Sequence, residues 1–218
     1  MPLPEIERLV EVVSRLRQEC PWDAQQTHRS LAQYLIEETA ETIEAIEVDD
    51  QDHLREELGD LLLQVIFHAE IASEQADGFT LEEVARGIAD KLISRHPYVF
   101  ATAEVPNDLH FTWEQRKAAE KGRTSALQGI PDQLSALARA NKIISRARSR
   151  RVAVALPDDA MTGDEVGAQM LALAAHAQAA GIDPDQALRD AVRALEADVR
   201  SAESARNDRG PIDHDPGP

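Results

Sequence analysis

Apolar residues recur at intervals of three and four along nearly the whole chain, and no stretch alternates with period two for long enough to make a convincing strand. A chain patterned in this way is expected to fold as an all-α protein. Proline, glycine and acidic clusters cut the pattern into segments. The first helix covers about residues 4–19 through Ile6, Leu9, Val10, Val13 and Leu16, and stops at Cys20-Pro21 because proline disfavours a helical residue before it. After a loop, CPWDAQQT, Thr27 is the expected N-cap of a second helix that runs to about Val48. Asp49-Asp50-Gln51-Asp52 makes a turn, a third helix spans about residues 53–75, and Asp77-Gly78 breaks it. Thr80 caps a fourth helix that ends near His96, and PYVFATAEVPND reads as irregular. A fifth helix surrounds Trp113 to Lys121, a sixth runs from Asp132 to about Arg150, and two more lie near 164–180 and 184–205. Leu171, Leu173 and Leu195 are expected core residues of these last helices.

At 218 residues the chain makes one domain or one and a fraction. It carries 23 Lys and Arg against 40 Asp and Glu, a net charge of −17, which sets nonspecific binding to nucleic acid or an anionic membrane surface at a disadvantage. The single cysteine, Cys20, permits no internal disulfide and fits a reducing compartment. Glu5, Glu7 and Arg8 interrupt the apolar core that a signal peptide needs, and no apolar run approaches 18 residues. A soluble, cytoplasmic protein is expected.

The chain repeats itself. A shift of 108 residues places Glu56–Ala69 on Asp164–Ala177 with five of 14 positions identical, among them Glu57 with Glu165, Gly59 with Gly167 and His68 with His176. A shift of 103 places Leu81–Arg86 on Pro184–Arg189. The copies differ in chemistry. Asp60 becomes Ala168, and Asp90, Lys91 and Arg95 become Arg193, Ala194 and Asp198.

Residues 37–60 hold 11 acidic residues and one arginine, so −10 of the charge lies in 24 positions. Residues i and i+3 share a helix face about 5–6 Å apart, which pairs Glu38 with Glu41 and Glu57 with Asp60. Neighbouring antiparallel helices would set the two pairs opposite each other. Clustered carboxylates repel one another unless a hard divalent cation neutralises them, and an all-oxygen set without Cys or paired His favours Mg²⁺ or Mn²⁺ over Zn²⁺. Gly59, inside the third helix, costs roughly 0.8–1.0 kcal/mol relative to Ala and points to close approach of a backbone or a ligand.

These segments resemble a known family. CPWDAQQTHRSLAQYLIEETAETIEAI, HLREELGDLLLQVIFHA, DKLISRHPYVF and FTWEQRKAAEK are similar to the MazG family of nucleoside triphosphate pyrophosphohydrolases over roughly residues 3–125. The resemblance implies an all-α bundle, Mg²⁺ dependence, a homodimer, and conversion of NTPs or dNTPs to monophosphate and pyrophosphate. It places Glu38, Glu41, Glu57 and Asp60 as metal ligands, with Glu37 beside them. Residues 1–125 would then be the catalytic module, 126–202 a degenerate structural second copy and 203–218 a disordered tail. Glu37 or Glu38 is the expected base for the attacking water.

A triphosphate adds about four negative charges, so cations are expected close by. Lys91 and Arg95, at i and i+4, are the leading candidates, followed by Lys117 and Lys121, while Asp90 is a candidate for metal or ribose. An ordinary solvated helix end would read the same way. Trp22 and Trp113 offer flat surfaces for a base, or simply pack under loops. The basic run Arg139–Arg151, without an acid, is expected to face an acidic surface of its own chain or dimer. Two other functions are compatible with the motifs: a narrow dUTP/dCTP pyrophosphatase, against which the CPWD segment argues, and a non-catalytic helical regulator.

Overall fold

The computed structural model describes residues 3–208, and among these every regular element is helical. The chain divides into two compact units, residues 1–101 and 102–218.

The first unit holds α1 (Pro4–Glu19), α2 (His28–Glu47), α3 (Gln51–Ser73), α4 (Leu81–Arg95) and the short α5 (Pro97–Phe100). Proline at the start of α1 leaves no donor to satisfy, and Cys20 before Pro21 is extended as the proline requires. In the following loop Asp23–Gln25 forms one 3-10 turn. Thr27 and Ser30 cap α2 reciprocally, each side-chain oxygen accepting from the other's backbone N–H at 3.1 and 2.9 Å. The turn into α3 is shorter than expected. Asp49 takes a left-handed conformation at φ 56°, and Asp50 accepts from the N–H groups of Asp52 and His53, so the helix already starts at Gln51. So short a connection folds α2 and α3 into a hairpin. Its core joins Val13, Leu31, Ile66, Phe67 and Ile71, with Tyr34, Leu62 and Leu63 half-buried against them. Pro97–Phe100, expected as irregular, makes a single helical turn because proline fits the first helical position.

Arg17 ties the loop after α1 in place. Its Nε and Nη2 donate to the two carboxylate oxygens of Glu74 at 2.6 and 2.9 Å, and Nη1 donates to the carbonyls of Asp23 and Gln26. The hydrogen bonds from Arg17, and then its charge, hold the Glu74 carboxyl below its ordinary range.

The second unit contains α6 (Leu109–Glu120), α7 (Ala136–Ser149), α8 (Gly163–Ala179) and α9 (Pro184–Asp208). Its core joins Ala126, Ile130, Ile143, Ala147, Val192 and Val199, with Leu195 packed against it. The boundary near 125 does not coincide with the compact units, which part between Ala101 and Thr102. The segment around Trp113 forms α6, which packs on α7 and so lies in the second unit. Residues 203–208 are not disordered but continue α9. Glu203 accepts from the Ala126 N–H at 2.8 Å and Arg206 donates to the Arg150 carbonyl at 3.1 Å, so these turns are anchored. The remainder of the expected tail, 209–218, lies outside the described residues.

The basic run finds its partners mostly within its own chain. Arg139 meets Glu196 at 2.8 Å and Asp132 at 3.1 Å, Arg148 meets Asp158 at 3.1 Å, and buried Arg146 donates to the carbonyls of Ala126 and Gln128. Leu171 and Leu173, in contrast, are not core residues: they are 73% and 67% exposed, and α8 buries no residue. Residues 152–161 form no helix, and among the described elements α8 packs only on α9.

Candidate metal centre

The α2–α3 hairpin brings the two acidic motifs together as the spacing demands. One carboxylate oxygen each from Glu38, Glu41 and Glu57 lies within 4.8 Å of the others. Glu38 is half-buried, Glu41 exposed, and Glu57 only 6% exposed. Burial first, then the charges of Asp60, Glu41, Glu57 and Glu37, push the Glu38 carboxyl above its ordinary range. Desolvation, then Glu57 and Glu37, does the same to Glu41. Asp60 and Glu37 therefore share the field of the cluster, although the tight triad is Glu38, Glu41 and Glu57.

Glu57 bears most directly on what the cluster could hold. Its Oε1 lies 3.0 Å from His53 Nε2, one turn back on α3, whereas its Oε2 is buried with no hydrogen-bond partner. A buried carboxylate oxygen without a donor is costly, and the adjacent carboxylates repel it except where a proton is shared, as a protonated Glu41 can share one with Glu57. A hard divalent cation satisfies this donor set: it takes oxygen ligands, it neutralises the repulsion, and His53 is already placed to orient Glu57 from behind. His53 escaped the sequence reading. Its signal was the i, i+4 spacing to Glu57. At Gly59 the expected close approach of another backbone is not found: among the described residues, a side-chain carbon built there would meet nothing within 4 Å beyond its own stretch of helix.

The remaining candidates are more scattered. Trp22, in the loop after α1, is 52% exposed and packs edge to face on Tyr34 with centroids 6.0 Å apart. Asp90 and Lys91 are exposed on the last turns of α4, and Arg95 is its half-buried final residue. Lys117 belongs to the second unit, where it pairs with Glu114 at 3.0 Å, and Lys121 ends the same helix, α6. Trp113 also lies on α6.

Comparison with known proteins gives the chain its relatives. Residues 26–100 match the model of the MazG nucleotide pyrophosphohydrolase domain, which takes in the whole hairpin. The chain is 46% identical over 199 residues to an uncharacterised 26.1 kDa protein of Streptomyces cacaoi, covering 89% of this chain and 81% of that one. It is 45% identical over 150 residues to a nucleoside triphosphate pyrophosphohydrolase of Escherichia coli K12, covering 65% of this chain and 57% of the relative. A nucleoside triphosphate pyrophosphohydrolase of Mycobacterium tuberculosis is 39% identical over 204 residues, 91% of this chain and 59% of the relative. The chain thus spans less than two thirds of the length of either pyrophosphohydrolase.

Proposed function

Because the chain belongs to the MazG family, we propose that it is an Mg²⁺-dependent nucleoside triphosphate pyrophosphohydrolase that converts NTPs or dNTPs, non-standard ones included, to monophosphate and pyrophosphate. The observation that carries this reading is the carboxylate triad with the unpartnered, buried Oε2 of Glu57. Glu38, Glu41, Glu57 and Asp60 would hold Mg²⁺ or Mn²⁺, which when bound neutralises charge on the phosphate oxygens.

The protein's own groups supply the rest. Glu38 is half-buried among like charges, so it holds a proton more readily than an ordinary carboxylate, and Glu37 stands beside it. Either can orient the attacking water and take its proton. Lys91 and Arg95 would face the phosphates, Asp90 the ribose or metal, and Trp22 the base. Ile36, Ile43 and Ile46 on α2 and Val65 on α3 are exposed, which supports a homodimer built on the hairpin. Among the described residues no helix is long and apolar enough to cross a membrane.

A nucleotide panel with Mg²⁺ and chromatography of the products tests the reaction. Monophosphate with pyrophosphate is expected. Diphosphate with orthophosphate would assign a different bond, turnover of dUTP or dCTP alone would make the enzyme a narrow pyrimidine hydrolase, and no turnover would leave a non-catalytic regulator.

A further inference from the structure

The turn that ends α7 carries a residue that does not suit it. The N–H groups of Arg151 and Val152 donate to the Arg148 and Ala147 carbonyls at 3.0 and 2.9 Å, the pair of bonds that closes a helix around a glycine. The residue in the glycine place is Arg151, at φ 51°. A side chain is strained in that left-handed conformation, and this one sets its guanidinium over the Phe111 ring, 5.6 Å from the centroid.

Within the second unit, Phe111, Ser149, Arg150, Arg151 and Arg206 line a cavity of about 580 Å³, with Glu114 at its wall. That volume lies in the roughly 300–1,000 Å³ range of small-molecule sites. Glu114 is the acid of the lining, and Lys117 already pairs with it at 3.0 Å, so the three guanidinium charges stay unbalanced. Arg139 and Arg148 of the same basic run meet carboxylates. Among the described residues Arg150, Arg151 and Arg206 meet none.

Capping of α7 uses only part of these side chains. Arg150 Nη2 donates to the Arg123 carbonyl at 2.9 Å and Arg206 Nη1 to the Arg150 carbonyl at 3.1 Å, which fixes both heads at the cavity. A guanidinium has five N–H donors, so most of each fork is left for an anion. The end of a helix disfavours an anion by only about half a charge, and the last carbonyls of α7 already accept from Arg150, Arg151 and Val152, so three full charges prevail. An extended polyanion would meet the repulsion of a chain of charge −17, whereas a small one inside the cavity meets the local charge. A phosphate monoester carries about two negative charges and would leave a guanidinium unmatched, so linked phosphates fit better.

We propose that this cavity binds a phosphate chain, as free pyrophosphate or as the chain of a nucleoside triphosphate, with Arg150, Arg151 and Arg206 as its partners. The proposal concerns binding in the unit that lacks the carboxylates, and it does not rest on the pyrophosphohydrolase reading.

The test is calorimetric titration of the full chain in EDTA with pyrophosphate, ATP and AMP. Pyrophosphate and ATP should bind about tenfold or more tightly than AMP, the worth of one charge-assisted hydrogen bond. ATP tighter than pyrophosphate would name a nucleotide as the occupant, and equal affinities pyrophosphate itself. Arg151→Gly puts the residue the turn favours in place of the cation, so it should fold at least as well and weaken pyrophosphate about tenfold. Arg206→Gln should weaken it by a like factor, and Lys91→Met, in the first unit, should leave it unchanged. AMP binding as tightly as pyrophosphate, or both folded arginine variants binding like the parent chain, overturns the proposal. A single-stranded RNA held through the same arginines, with pyrophosphate ignored, would make this face a nucleic-acid surface and overturn it too.

Discussion

Glu57 and Glu165 fall on each other when the sequence is shifted by 108 residues, yet they do different work. Glu57 lies within α3, 6% exposed, with two carboxylates of α2 beside it. Glu165 sits in the first turn of α8, where its carboxylate accepts from the Thr162 backbone and hydroxyl at 2.7 and 3.0 Å. The difference is the neighbouring helix. α3 has α2 folded against it, while the segment before α8 forms no helix. A glutamate at one place in a repeat becomes a candidate ligand when a second acidic helix buries it, and a cap when it does not. This contrast supports our reading of residues 126–202 as a degenerate, structural copy.

The largest effect expected from that contrast is on turnover. Glu57→Ala should abolish it, and the loss should exceed the roughly 10–100-fold that removal of an outer-shell partner costs. His53→Ala should fall within that range, chiefly as a raised requirement for metal. Glu165→Ala should leave kcat nearly unchanged. Steady-state kinetics on folded protein, checked by circular dichroism, decides the matter: a folded Glu165→Ala protein without activity would show that the second copy still serves a site.

Stability should separate the copies next. Leu63 and Leu171 are identical positions of the repeat, but Leu63 packs half-buried on the first core and Leu171 is 73% exposed. Leu63→Ala should cost about 2 kcal/mol, the low end for a leucine truncation, and Leu171→Ala less than about 0.5 kcal/mol. Denaturant melts of the two variants measure this directly. A large loss at Leu171 would mean that α8 is covered in solution by a surface absent from the single chain.

How far the sequence could be read follows from the same physics. Pro21, Thr27 and Thr80 marked helix ends correctly because caps and proline act within a few residues. The carboxylate triad was legible because i, i+3 spacing on two helices joined by a short turn leaves little freedom. The exposure of Leu171 was not, since an apolar period shows that a face can be buried and not whether a neighbour exists. Gln64 looked like an ordinary polar residue in LLLQVIF, and only tertiary packing reveals that its amide is buried without a partner. Arg17 and Glu74 lie 57 residues apart, beyond any local pattern.

The smallest expected effect is one of sign, in how each copy responds to acid. Glu38 and Glu41 have carboxyls raised by desolvation and by their acidic neighbours, so at neutral pH their charges oppose folding of the metal-free protein. That cost is present above the raised folded values and disappears as pH falls through them toward the ordinary range near 4.3. Glu165 runs the other way. Its bonds to the Thr162 backbone and hydroxyl lower its carboxyl, so its contribution is present above the unfolded value and is lost as pH falls through the folded one. On mild acidification from about pH 7 to about pH 5 the Glu38 and Glu41 carboxyls should therefore return stability to the metal-free protein, against a loss from His68, whose imidazole burial and then His28 hold below its ordinary value so that its protonation opposes folding. Glu41→Gln should show part of that gain already at neutral pH and respond less to acid. Mg²⁺ should abolish the acid-induced gain, because the cation neutralises the same charges that protons would, whereas Glu165→Gln should leave the gain intact. Scanning calorimetry of the three proteins with and without Mg²⁺ reads all of this as shifts in Tm. A metal-free protein that loses stability over that interval, with Glu41→Gln following the same curve, would show that the carboxylates of the hairpin do not repel one another enough to need a cation.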